Sequence, residues 1–267
     1  MKKILSMLFL SLVITVSSMS SFAAVTGVNI GTEAIQTGMV SLRVSQDFES
    51  KLLFLVEKDG NRYMYPVYDD GSTNFFPLQM GSGDYLVRLM ENVEGNKYKE
   101  VVRKTVNLNE TSGRDIFLQS VIEVNWSENS PAVLKAKSLT KGMTSDSAKI
   151  KVIYDYVTSN YKYDYNKIST LTSSYIPDID QIYYDEKGIC YDYSALFASM
   201  LRSVGVPTKM VKGYSDLIPD QYHAWNEVYV NGTWQTVDTT YDAAYLQANK
   251  TVSMYKSSVL FDATKIY

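Results

Sequence analysis

The sequence predicts an α+β fold in two parts, a β-sandwich followed by helices packed on an antiparallel sheet. Three features carry that prediction. Short period-two segments separated by turn residues fill residues 25–124. From Ser130 onward the apolar spacing becomes helical. Near the C-terminal end an Asn231-Gly232 pair, the strongest two-residue hairpin signal, separates two strand-like runs.

In the first part, Val40, Leu42 and Val44 alternate with Ser41, Arg43 and Ser45, so one face is buried. Leu52 to Val56 is a continuous apolar run, expected to be covered on both faces. Asp59-Gly60 and Asp70-Gly71 mark turns, Tyr85, Val87 and Leu89 alternate again, and Glu94-Gly95-Asn96 leads into Tyr98 to Val106. Asp115 to Val124 is expected as the closing strand. Strands of this length and spacing suggest a sandwich of the immunoglobulin or fibronectin type. The region holds no catalytic cluster and fits a spacer or adhesion module.

Ser130 as N-cap and Pro131 at the first helical position open the second part, residues 125–267. A helix runs to about Lys141 and stops at Gly142. Ser145 or Asp146 caps a second helix, in which Ile150, Ile153 and Val157 share a face. Residues 161–185 are rich in tyrosine and are expected to form a long loop with short helical turns. A third helix follows Cys190, with Ala195, Leu196, Met200 and Leu201 on its apolar face. Gly205 is placed to end it, and Pro207 blocks its continuation.

The 267-residue chain begins as an exported protein would. Lys2 and Lys3 precede an apolar stretch from Ile4 to Val16, and Ser21-Phe22-Ala23 supplies the small residues of a cleavage site. Residues 1–24 are therefore expected to be a secretory signal peptide, leaving no membrane span after cleavage. A net charge of −3 gives no electrostatic basis for binding nucleic acid. One cysteine cannot close an internal disulfide.

That cysteine and the single histidine are the two rarest reactive groups in the chain. Cys190 stands at the start of the third helix, where unpaired amides and the helix dipole favour a thiolate. The same amides suit an oxyanion. Hairpin arithmetic brings in a carboxylate. If Val230 pairs with Thr233, Trp225 faces Asp238, and His223, two residues earlier, is a diagonal neighbour of Asp238 about 7–8 Å away between Cα atoms. A thiol, an imidazole and a carboxylate form an activated nucleophile: Cys190 attacks, His223 carries the proton and Asp238 orients the ring. One Cys and one His are too few for a zinc site, and no cofactor is implied. Asp178, Asp180, Asp185 and Glu186 form an acidic stretch that fits a solvated loop better than a calcium site.

From about Asp146 to Asp242 the chain resembles the transglutaminase-like superfamily, whose core has a papain-like arrangement. The resemblance rests on Gly188-Ile189-Cys190-Tyr191-Asp192-Tyr193-Ser194-Ala195, Leu201-Arg202-Ser203-Val204-Gly205-Val206-Pro207, His223-Ala224-Trp225-Asn226-Glu227-Val228-Tyr229 and Trp234-Gln235-Thr236-Val237-Asp238. It implies a Cys190, His223, Asp238 triad and thioester chemistry. A second oxyanion donor upstream of the cysteine is also implied, for which Tyr163 and Gln181 are the candidates. Tyr191, Trp225, Tyr183 and Tyr184 are candidates for the substrate groove.

Members of that family include protein cross-linking enzymes, peptidases and peptide N-glycanases. The resemblance thus implies an exported enzyme acting on glutamine or on peptide and amide bonds. Its substrate is a protein or peptide, cell-wall peptides included. The competing expectations are a cell-wall peptide hydrolase and a catalytically inactive binding or adhesion protein of the cell surface.

Overall fold

The computed structural model describes residues 26–109, 113–172 and 174–267, with a two-residue strand at Val13–Ile14. The signal-peptide reading of residues 1–24 otherwise lies outside the described residues. Two compact units divide the chain between Gly113 and Arg114. No helix among the described residues is long and apolar enough to cross a membrane.

Besides the Val13–Ile14 strand, the first unit has β1 (Val28–Gly31), β2 (Met39–Val44), β3 (Leu52–Lys58), β4 (Asn61–Pro66), β5 (Thr73–Pro77), β6 (Gly83–Glu94) and β7 (Lys97–Leu108). One sheet runs β1-β2-β5 and the other β7-β6-β3-β4, with every pairing between these strands antiparallel. The β3–β4 hairpin turns at Asp59-Gly60, both with positive φ (50° and 79°), the backbone that matches strand twist in a two-residue turn. Phe54 of one sheet stacks on Phe76 of the other at 4.3 Å, and both are fully buried. At the start of β6 the Tyr85 hydroxyl donates to the carbonyls of Leu78 and Gly81, each at 2.7 Å. This tyrosine corner closes the turn between β5 and β6, a feature typical of such sandwiches.

The second unit holds the helices α1 (Pro131–Leu139), α2 (Asp146–Asn160), α3 (Tyr165–Ile168), α4 (Ile179–Asp185), α5 (Cys190–Ser203) and α6 (Thr239–Gln247). Two short strands, β8 (Lys162–Tyr163) and β9 (Lys187–Gly188), pair in parallel. A larger antiparallel sheet is built from β10 (Thr208–Ser215), β11 (Ile218–Val230), β12 (Thr233–Val237), β13 (Tyr255–Lys256) and β14 (Phe261–Ile266), in the order β13-β12-β11-β10-β14. The α5 helix packs against β10 and β11 and carries a continuous buried stretch from Asp192 to Arg202. It ends in a Schellman motif: Gly205 (φ 83°) donates to Arg202, and Val206 to Leu201.

Residues 114–124 differ from the expected closing strand. They form a 3₁₀ turn at Asp115–Leu118 and a single bridge between Val121 and Val124. They also belong to the second unit. Phe117 meets Trp234 edge to face at 5.5 Å, and Lys209 lies 4.1 Å over the Trp234 ring. The buried Arg202 guanidinium donates to the carbonyls of Gln119, Thr208 and Tyr267. An aromatic pair and a three-carbonyl clamp outweigh the weak β pattern of this stretch, and the boundary therefore falls before it rather than after residue 124.

Other expectations shift slightly. Ser130 precedes α1 as expected, but its hydroxyl accepts from Ser127 rather than capping the helix. Ser145 does cap α2 through Ala148. The tyrosine-rich stretch contains a two-turn helix, α4, because the Asp178 carboxylate accepts the Asp180 and Gln181 amides at its start.

Gly213 on β10 lies opposite His223, where the strand also meets β14. A Cβ there would come within 2.0 Å of the Asp262 carbonyl oxygen and 2.9 Å of the Trp225 ring. Gly213→Ala is expected to destabilise the second unit by about 1–3 kcal/mol through overpacking. A urea titration followed by tryptophan fluorescence measures this.

Candidate active site

The observed hairpin sets the site geometry. Val230 pairs with Thr233, Tyr229 with Trp234, Glu227 with Thr236 and Asn226 with Val237. Asn231 and Gly232 supply the two positive φ values of the turn (52° and 83°). At the far end of this register, His223 Nε2 is 2.7 Å from Asp238 Oδ2, with both residues buried.

Asp238 has a second task. It leaves β12 and becomes the N-cap of α6, its Oδ1 accepting the Tyr241 amide at 3.0 Å. One oxygen is held by the helix and the other holds the ring, so the carboxylate cannot rotate away without uncapping α6. Trp225 stacks 6.3 Å from the imidazole and packs on Phe261, bracing the ring from one side. It is fully buried and thus serves as a floor under His223, not as a groove wall.

Cys190 is the first helical residue of α5, half-buried and in the free thiol form. Its sulfur acts electrostatically on His223. Asp238 occupies Nε2, which leaves Nδ1 as the ring nitrogen available to exchange a proton with the thiol. Burial pulls the His223 pKa down. Hydrogen bonds to Asp238 and Cys190, together with their charges, outweigh burial and push it up to about 10. These interactions favour the imidazolium form of the ring.

The backbone around the sulfur is held by a buried carboxylate. Asp192 Oδ2 accepts the Ile189 amide at 2.9 Å, which fixes the turn into the helix. Lys167 donates to the same oxygen at 2.7 Å, and the Tyr175 hydroxyl donates to the other. The segment before α4 is in this way strapped onto the helix start. Gly188 makes room for it, since a Cβ there would lie 2.5 Å from the Asp192 Cβ. The amides of Cys190 and Tyr191 lie in the first turn, where no helical acceptor exists. They form a ready donor pair for a developing oxyanion.

The two candidate side-chain donors separate clearly. Tyr163 on β8 pairs with Gly188 on β9, two residues before the sulfur. Burial and then the charge of Cys190 raise its pKa to about 12, so its phenol keeps the proton needed to donate. Gln181 is exposed on α4, and its amide donates to Asp185 of the same helix at 2.8 Å. A bond within its own helix turns it into a surface residue.

The groove candidates separate as well. Tyr191 follows the cysteine and is half-buried, with the Lys212 ammonium 3.4 Å over its ring. Tyr183 acts electrostatically on Tyr156 of α2, and Tyr184 is 70% exposed with Tyr183 as its ring neighbour. Their packing belongs to α4 and α2 rather than to the sulfur. Among the described residues no group of three His, Cys, Asp or Glu side chains is arranged to hold a metal ion.

Sequence reasoning assigned no role to Asp192, Asn226 or Lys212. Asp192 had a local signal, an acid at the third helical position beside the nucleophile. Asn226 had another, an amide inside an otherwise apolar strand. It is fully buried and donates to the carbonyls of Ser194 and Lys209, which ties α5 to the sheet. Lys212 had no local signal, because its ring partners come from α5 and the end of the chain.

Two variants test this geometry. Asp192→Ala leaves Lys167 without its buried partner and the Ile189 amide without an acceptor. A loss of about 3–5 kcal/mol in stability is expected from breaking such a pair, measured by chemical denaturation. Asp238→Asn removes the carboxylate charge that helps raise the His223 pKa and leaves Cys190 alone to raise it against burial. The raised pKa stabilises the wild-type fold fully below about pH 6.5, and that stabilisation is lost as pH rises through about 10. The variant is expected to lose part of this pH dependence, and the imidazole titration, followed by NMR, should move down from its wild-type position toward about 6.5.

The comparisons with known proteins bear on the second unit. A model described as the transglutaminase-like superfamily matches residues 135–239, which include Cys190, His223 and Asp238. The Kyphoscoliosis peptidase of Mus musculus is 30% identical over 106 residues, covering 36% of this chain and 16% of that protein. The uncharacterized protein YebA of Bacillus subtilis is 28% identical over 110 residues, covering 34% of this chain and 15% of its own length. The chain thus spans about one sixth of the curated relatives it matches. A solved structure from Cytophaga hutchinsonii aligns over 86% of this chain and 83% of its own, with a TM-score of 0.43 at 16% identity. Residues 135–239 therefore carry a transglutaminase-like core.

Proposed function

We propose that the protein is an exported cysteine-dependent acyl-transfer enzyme that takes peptide or amide substrates through a thioester at Cys190. The observation that carries the reading is the buried His223–Asp238 bond beside a half-exposed thiol at a helix start. The signal-like sequence of residues 1–24 supports action outside the cytoplasm.

In this reading the Cys190 thiolate attacks the carbonyl carbon of a glutamine side chain or a peptide bond. The oxyanion is received by the amides at the start of α5 and by the Tyr163 phenol. His223, protonated and held by Asp238, gives its proton to the leaving nitrogen as the C–N bond breaks. The neutral ring then takes a proton from the second nucleophile, which attacks the thioester and restores the thiolate. Water as that nucleophile gives hydrolysis, and an amine gives transfer or cross-linking.

Peptide substrates, cell-wall peptides among them, suit a site whose surroundings are rich in tyrosine. Among its described residues the first unit carries no comparable cluster, and it suits a spacer or docking module on the cell surface.

The test incubates wild type and Cys190→Ala with a glutamine peptide plus labelled amine, and separately with purified peptidoglycan. Wild type is expected to yield amine incorporation or released fragments, with the activity abolished in Cys190→Ala. Inert wild-type protein whose thiol also resists iodoacetamide at neutral pH would favour a binding role instead.

A further inference from the structure

We propose that Lys212 reads a carboxylate on the acyl portion of the substrate, next to the carbonyl that Cys190 attacks, and so selects acidic peptides. The proposal rests on the thioester reading above and adds its specificity.

Lys212 lies on β10, immediately before Gly213, which faces His223. Its Nζ is 3.4 Å from the centroid of Tyr191, the residue after the nucleophile, and 5.1 Å from that of Tyr267. Its charge interacts directly with that of Cys190. Because the acyl portion is the part that stays on the sulfur, a cation in this position faces that portion.

Among the described residues the ammonium has aromatic faces but no anionic partner at ion-pair distance. Each of the lysines that make ion pairs has a carboxylate within 3.3 Å, Lys209 on Glu227 and Lys256 on Asp242 among them, and Lys212 is not one of these. Rings hold a cation in place through their π faces without neutralising it. Burial pulls its pKa down to about 8, a cost that an incoming anion would offset.

A second, independent observation lies next to it. Glu123 is buried, and its Oε2 has no hydrogen-bond partner. Burial raises its pKa to about 7, against the pull of Lys212 and Arg202. Glu123 thus interacts with the ammonium without closing on it to ion-pair distance. It competes with a substrate carboxylate for the same cation, so the two variants should act in opposite directions. Glu123 lies outside the matched residues 135–239, whereas Lys212 lies within them.

The test uses paired peptidyl vinyl sulfones that differ only in Glu or Gln at the two residues preceding the electrophile. The rate of Cys190 labelling is followed by intact-protein mass spectrometry. Wild type is expected to react roughly five- to tenfold faster with the Glu probes. Lys212→Met should bring that ratio to about one, Lys212→Arg should retain most of it, and Glu123→Gln should increase it. Labelling by both probes at equal rates would overturn the proposal and leave the thioester reading standing. A Lys212→Met loss that is equal for both probes, with a shifted pH profile for iodoacetamide, would assign Lys212 to the thiolate and also overturn it. Failure of every probe and of iodoacetamide to label Cys190 would remove the thioester reading and the proposal together.

Discussion

The structure depends on one buried contact, the 2.7 Å bond between His223 and Asp238. Neither partner is free to drift. The ring is backed by Trp225, and the carboxylate is shared with the first turn of α6. A short turn between β11 and β12 fixes the register of the two strands that carry them, and a slip of one residue would send one partner to the opposite face. The same pairing that builds the sheet therefore builds the site.

The sulfur is held by different means. Its position comes from a helix start whose entry is secured by Asp192, a carboxylate that accepts from a backbone amide, a lysine and a tyrosine. Buried charges are costly unless fully satisfied, and this one has three donors. The strap that supplies Lys167 and Tyr175 would otherwise be a long polar loop. Its tyrosines do more than cover the core, because one of them fastens the strap to the catalytic helix. The structure thus assigns a definite task to a stretch that composition left between groove lining and packing.

Much of the site was legible from local rules. A unique cysteine before an amphipathic helix, a unique histidine in a strand and a two-residue turn at a countable distance from an acid were enough to bring three side chains together. The hairpin register and the His223–Asp238 contact follow from periods and turn geometry, which short-range sterics enforce. Gln181 and Trp225 were harder to place. Both are near the right residues in sequence, yet one bonds along its own helix and the other is sealed beneath the histidine. The closing strand expected at residues 115–124 failed for a related reason, since packing on Trp234 and the Arg202 clamp overrode a weak alternating pattern.

By itself, the sequence determined the order of the two units, the helix that presents Cys190 and the hairpin register that pairs His223 with Asp238. Each follows from constraints acting over a few residues. Only the tertiary structure decided that Asp192 is a hub, that Glu123 is buried with an unpartnered oxygen and that Lys212 sits on Tyr191 with no carboxylate in contact. Those facts arise where β10, α5 and the turn at 121–124 converge. The environment of a charged side chain is set by neighbours distant in sequence, and no local period encodes them.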